Sequence, residues 1–135
     1  MMRNSSFSFH VAAILYVGVL CPLFTGCGEM TVAPVSGTIT LDGVPLKRAS
    51  ITFHPEAGGR PSFGVSNDNG EYTLGYSMSK TGAEVGPCRV TISTKIEGDD
   101  GKPAKELVPA RYAKEPIVVK VESRSNKIDL KLTSK

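Results

Sequence analysis

The dominant pattern along this chain is a period of two. From Val35 onward, Val35, Gly37, Ile39 and Leu41 fall on one side, and Ser36, Thr38 and Thr40 on the other. That alternation marks a half-buried strand. Asp42-Gly43 predicts a tight turn, because glycine tolerates positive φ, and Pro45 keeps the connection out of the central ladder. The alternation resumes with Ala49, Ile51 and Phe53 inward and Ser50, Thr52 and His54 outward. A loop follows at 55–61 (PEAGGRP), then a third short strand carrying Phe63 and Val65. Asn67-Asp68-Asn69-Gly70 predicts a second turn, with Tyr72 and Leu74 facing inward beyond it.

Residues 76–87 read as a longer loop. A fifth strand over 88–96 puts Cys88, Val90 and Ile92 on one face and Arg89, Thr91 and Ser93 on the other. The stretch EGDDGKPAKE (97–106) predicts a polar excursion with nothing able to reach a core. Apolar contact returns at 107–112, and two further alternating runs follow: Ile117, Val119, Val121, then Ile128, Leu130, Leu132. No segment carries a helical stripe. The expected fold is all-β, a single immunoglobulin-like sandwich of about seven short antiparallel strands over 35–133.

In front of this body the pattern changes. Residues 1–10 carry one positive charge, Arg3, and 11–20 (VAAILYVGVL) are uninterruptedly apolar. Such a run falls short of the ~20 residues that span a bilayer and reads as the core of a signal peptide. Leu23-Phe24-Thr25-Gly26-Cys27 resembles the lipobox of bacterial lipoproteins, with Phe24 where leucine is usual. The resemblance implies a leader over 1–26, lipidation of Cys27 and a short tether over 27–34. Gly28, in place of an aspartate, implies the outer membrane. A diacylglyceryl thioether with an N-acyl chain anchors firmly where one acyl chain would not. The plain alternative is an ordinary cleaved secretory leader in which Cys27 is incidental.

Charge and cysteine content narrow the partners. The chain has 135 residues with 16 basic and 13 acidic side chains; without Arg3 the balance is 15 against 13. A net charge of +2, with no clustered Lys/Arg, gives no footing for nucleic acid. Cys88 is the one cysteine of the expected body, since Cys21 and Cys27 belong to the leader and its end. An intramolecular disulfide framework is not expected.

VSGTITLDGVPLKRASITFHP followed by SNDNGEYTL resembles the carboxypeptidase regulatory-like domain, a transthyretin-like (prealbumin-like) sandwich. Val35, Gly37, Ile39, Asp42, Gly43, Pro45, Leu46, Ala49, Ile51, Phe53, Asp68, Gly70, Tyr72 and Leu74 fall on its pattern. GAEVGPCRVTIST and the segment from Leu107 to Leu132 are similar to the continuation in small planctomycete-type lipoproteins. Cys88 and Ala113 depart from that pattern. The transthyretin fold also hosts hydroxyisourate hydrolase, but its several histidines and its Y-R-G-S-type tail have no counterpart here.

The residues that could carry chemistry all read as structural ones. His54 is the single body histidine, and a metal site needs three or four convergent ligands. Residues 67–71 suit a β-turn better than a calcium loop, and Glu97, Asp99 and Asp100 suit a solvated loop. Cys88 reads as a small buried hydrophobe. No cofactor, metal or catalytic group is expected. The expectation is a non-catalytic, lipid-anchored envelope module that contacts an envelope protein or glycan. Loops 55–62, 76–87 and 97–111 are the candidate surfaces, with Tyr76, Arg111 and Tyr112 as possible contact residues. The alternative is a small-ligand or carbohydrate-binding envelope domain.

Overall fold

The computed structural model describes residues 31–96, 98 and 100–135. The leader and Cys27 therefore lie outside the described residues, as do Glu97 and Asp99. The first long strand, β2 (Val35–Leu41), follows a short β1 (Val32–Ala33) and turns through Asp42-Gly43 into β3 (Val44–Pro45). Asp42 at φ +50° and Gly43 at φ +81° are both left-handed, the two-residue turn whose twist suits a hairpin. Next come β4 (Ser50–Pro55), β5 (Ser62–Val65), β6 (Glu71–Thr73), β7 (Gly75–Ser77), β8 (Lys80–Thr81), β9 (Ala83–Glu84) and β10 (Gly86–Ser93). One helical turn, α1 (Arg111–Lys114), precedes β11 (Ile117–Val121), β12 (Asn126–Lys127) and β13 (Leu130–Leu132).

Two sheets enclose one core. The larger has the order β11-β10-β4-β5-β7-β8, and the other is built on β2, flanked by β12 and β13 on one side and by β3 and β6 on the other. The inner faces contribute Ile51, Phe53, Val90 and Val121 from the first sheet and Val35, Ile39 and Leu132 from the second. Leu74 fills the place where the chain crosses between them. The alternating positions read from the sequence supply this core because cross-strand neighbours share a face.

The all-β sandwich is thus present, but not as seven antiparallel strands. Thirteen strand segments occur among the described residues, and β12 and β13 run parallel to β2, with Leu130 opposite Ile39. That seam is close. A Cβ at Gly37 would sit 1.9 Å from the Ile128 carbonyl oxygen, and the Tyr72 hydroxyl donates to the same oxygen at 2.5 Å.

The structure changes three expectations and adds the direction of one strand. The region 76–87 is not one loop: β7 and β8 form a hairpin and β9 pairs with β1. Residues 32–33, assigned to the tether, are therefore part of the folded body, with Ala33 buried. In β5 the large apolar side chains face outward, Phe63 at 59% and Val65 at 57% exposure, while Ser62 is buried. Register explains this: Phe53 inward brings Ser62 inward, and Thr52 outward brings Phe63 outward. Finally, β10 ends at Ser93, and the polar excursion beyond it is tied back to the sheet.

Candidate functional site

The tie is Glu106. Its Oε2 accepts from the Ser93 hydroxyl at 2.6 Å, and its Oε1 from the backbone N–H groups of Thr94 (3.0 Å) and Val108 (3.1 Å). The Thr94 hydroxyl accepts from Leu107 N at 2.7 Å and lies between Glu106 Oε1 and the Lys105 carbonyl. Burial raises the carboxyl pKa, but the hydrogen bonds from Ser93, Thr94 and Val108 outweigh it and bring the value down to about 2. A charged carboxylate thus closes the loop, and Ala104 N to Ile96 O at 3.1 Å completes its neck.

This loop forms one wall of an apolar groove. The other wall is the corner between β3 and β4, where Arg48 takes φ +50°. Ser66 fixes that corner by donating to the Leu46 carbonyl at 2.6 Å and accepting from Ala49 N at 2.9 Å. Between the walls lies a cavity of about 280 Å³ lined by Lys47, Arg48, Thr94, Ile96, Gly98, Ala104, Lys105 and Leu107. Across Leu107 and Lys47 it meets a second hollow of about 320 Å³ formed with Leu41, Val44, Pro45 and Leu46. Val44 and Leu107 are large apolar side chains left mostly in water, at 65% and 51% exposure. Neighbouring exposed apolar groups of this kind mark contact surfaces more often than isolated ones do.

The topology places this groove at one end of the sandwich. β2 starts beside β1 and runs toward Leu41, and β10 starts beside β11's last residue and runs toward Ser93. The groove, at Leu41 and Thr94, is at the far end from β1.

The contact residues nominated by the sequence are split between the two ends. Tyr76 is at the β1 end, where its hydroxyl donates to buried Glu84 Oε1 at 2.9 Å. Arg60 N donates to the same oxygen at 3.0 Å, and the Arg60 guanidinium lies 5.6 Å from the Tyr76 ring centre. The Glu84 hydrogen bond pushes the Tyr76 phenol up. Arg111 and Tyr112 are at the groove end, but they hold the C-terminal segment. The Arg111 guanidinium stacks 4.9 Å from the Tyr112 ring and donates to the carbonyls of Thr133 and Lys135. The Tyr112 hydroxyl accepts from Thr133 N at 2.9 Å, which lowers its pKa. Both pairs act within the protein.

The reactive candidates are also engaged. His54 Nε2 lies 3.1 Å from the Thr91 hydroxyl on the outer face of the larger sheet. Cys88 is fully buried, and burial pushes its thiol up, with the Glu84 and Glu56 carboxylates adding to the effect. Asn67 organises its turn by accepting from Asn69 N and Glu71 N, both at 2.9 Å. Among the described residues no group of three or more His, Cys, Asp or Glu side chains converges on a metal site. Glu106 and Leu107 lie within the 97–111 loop that the sequence nominated as a contact surface, though neither was singled out there, and Lys47 lies outside every nominated loop. The available signal was a carboxylate placed directly before the apolar pair Leu107-Val108, which delivers it to the core's edge.

No described protein family and no curated protein matches the chain. Among solved structures it is similar to BcpA, the major pilin subunit of Bacillus cereus, at 18% identity and TM-score 0.49, covering 78% of this chain and 31% of that one. A DUF3823 family protein from Parabacteroides merdae is 12% identical at TM-score 0.47, over 78% of this chain and 47% of that one. A 9R-lipoxygenase from Cyanothece is 14% identical at TM-score 0.39, over 76% and 16%. The chain spans less than half the length of each of these proteins. At these scores the likeness carries no inference about activity or partner.

Proposed function

We propose that this protein is a non-catalytic, lipid-anchored envelope lipoprotein of the carboxypeptidase regulatory-like type, attached through Cys27 to the outer membrane. Its sandwich serves as a protein-interaction module. The observation that carries the interaction reading is the groove at Leu107 and Lys47. It is apolar, open and edged by basic side chains, and it lies at the end of the sandwich remote from the strand that leads back to Cys27. A partner in the envelope can reach it without displacing the anchor. The non-catalytic reading is supported by the burial of Cys88 and by the engagement of His54 with Thr91. The carbohydrate alternative drew on Tyr76 and Tyr112, and both rings are occupied by arginines of the same chain.

The test combines intact mass and membrane fractionation with photo-crosslinking in the native host, using a photoreactive residue in place of Leu107 or, as control, of Glu71 at the edge of the smaller sheet. The expected result is a lipidated chain starting at Cys27, released from the membrane by Cys27→Ser, with a discrete protein adduct from position 107 alone. A soluble, unlipidated chain refutes the anchor. Equal or absent adducts at both positions refute the groove.

A further inference from the structure

The folded body begins so near Cys27 that it has little freedom to stand away from an anchored lipid. Val32 pairs with Glu84, Ala33 with Ala83, and Val85 N donates to Thr31 O at 2.8 Å, so the body is already fixed at Thr31. Four chain steps separate Cys27 from Thr31, and a fully extended chain covers at most about 14 Å in that number. The β1 end of the sandwich is thus confined to the depth of a headgroup layer and its adjoining water.

That same end carries a feature with no role inside the fold. β7 leaves Gly75, opposite Phe63, and runs antiparallel to β5, toward the end where β4 meets Cys88. The hairpin tip therefore projects beside β1. At the tip Met78 is fully exposed, with a relative exposure of 107%, between Ser77 and Lys80, the pair that closes the hairpin. Val85, next to Thr31, is also partly exposed at 38%. Lys80 stands at the tip itself, while at the same end Arg60 is stacked over Tyr76 and Arg124 is paired to Glu122. An unbranched apolar side chain on a hairpin tip with a cation beside it suits the boundary between acyl chains and anionic headgroups, where lysine reaches to phosphate as the apolar group enters.

We infer that the β1 end of the sandwich rests on the lipid surface, with the Met78 tip entering the interface and Lys80 against the phosphates. This rests on the proposed anchor at Cys27. It goes beyond it in giving the domain a fixed orientation, with the groove pointing away from the bilayer. The contact adds a second, weak attachment to the lipid itself.

The experiment uses the natively processed full chain in vesicles of phosphatidylethanolamine and phosphatidylglycerol. An environment-sensitive fluorophore is placed at Met78→Cys or, as far-end control, at Val44→Cys; Cys88 is buried and stays unlabelled in the native protein. The expected result is quenching of the Met78 position several-fold more strongly by lipid-borne quencher than by iodide, with the reverse at Val44. Equal quenching by iodide at both positions, in a chain whose mass shows lipid on Cys27, overturns the orientation alone. A chain without lipid mass on Cys27 overturns the anchor, and the orientation with it.

Discussion

Glu106 offers the sharpest test of how the groove is built. Replacing it with glutamine keeps its size and one acceptor oxygen but removes the charge that Ser93, Thr94 and Val108 surround. A carboxyl brought from 4.5 down to about 2 corresponds at full strength to roughly 3 kcal/mol of folding free energy. Because the side chain is only half-buried, water screens part of this, and we expect Glu106→Gln to cost about 1–2 kcal/mol near neutral pH. The sign of the pH dependence follows from the folded-state value lying below the ordinary one. The contribution is complete above about pH 4.5 and fades as pH falls toward about 2. Urea unfolding of wild type and variant at about pH 7 and about pH 3 measures both effects. The two proteins should differ clearly at the higher pH and by roughly half as much or less at the lower. Parallel behaviour at both, or a variant as stable as wild type throughout, would refute the assignment of a structural carboxylate.

Further substitutions probe the core and the seam. Ser62 is fully buried on the inner face of β5, and its hydroxyl finds no partner among the described residues. Ser62→Ala is expected to raise stability by about 1 kcal/mol in urea titration, since an unsatisfied buried hydroxyl costs about that much or more. Gly37→Ala would drive a methyl into the Ile128 carbonyl and should destabilise by about 2 kcal/mol or more, read as a lowered urea midpoint. With Cys21 and Cys27 changed to serine, Cys88 should react with a thiol reagent only after denaturation, its thiol being buried and pushed up; rapid native labelling would show the strand to be open.

What the sequence revealed and what it concealed separate along physical lines. Strands long enough to repeat their period were legible: Val35, Ile39, Ile51, Phe53, Val90 and Leu132 face the core as their alternation requires. Segments of two residues have no period to read, so β1, β8 and β9 were invisible although they decide where the folded body begins. The outward turn of Phe63 was hidden because side-chain direction in a short strand is set by its neighbour's register. The groove was hidden for a different reason. It depends on Glu106 returning to Thr94 across a polar loop, and composition alone had assigned that loop to solvent. The proposed lipidation at Cys27, by contrast, rests on a purely local motif that lies outside the described residues.

The parallel seam along β2 also governs when the protein folds. Thr38 N donates to Asp129 Oδ1 across 91 positions of chain, and β12 and β13 fill the whole of that side of β2. Contacts of such separation are slow to form, because a long loop must close before any ladder is gained. A chain emerging N-terminus first from a ribosome or a narrow channel holds β2 with one ladder made, to β3 and β6, and the other empty. The sheet can close only once residues 126–132 have emerged, so its last ladder is completed at the very end of the chain's passage.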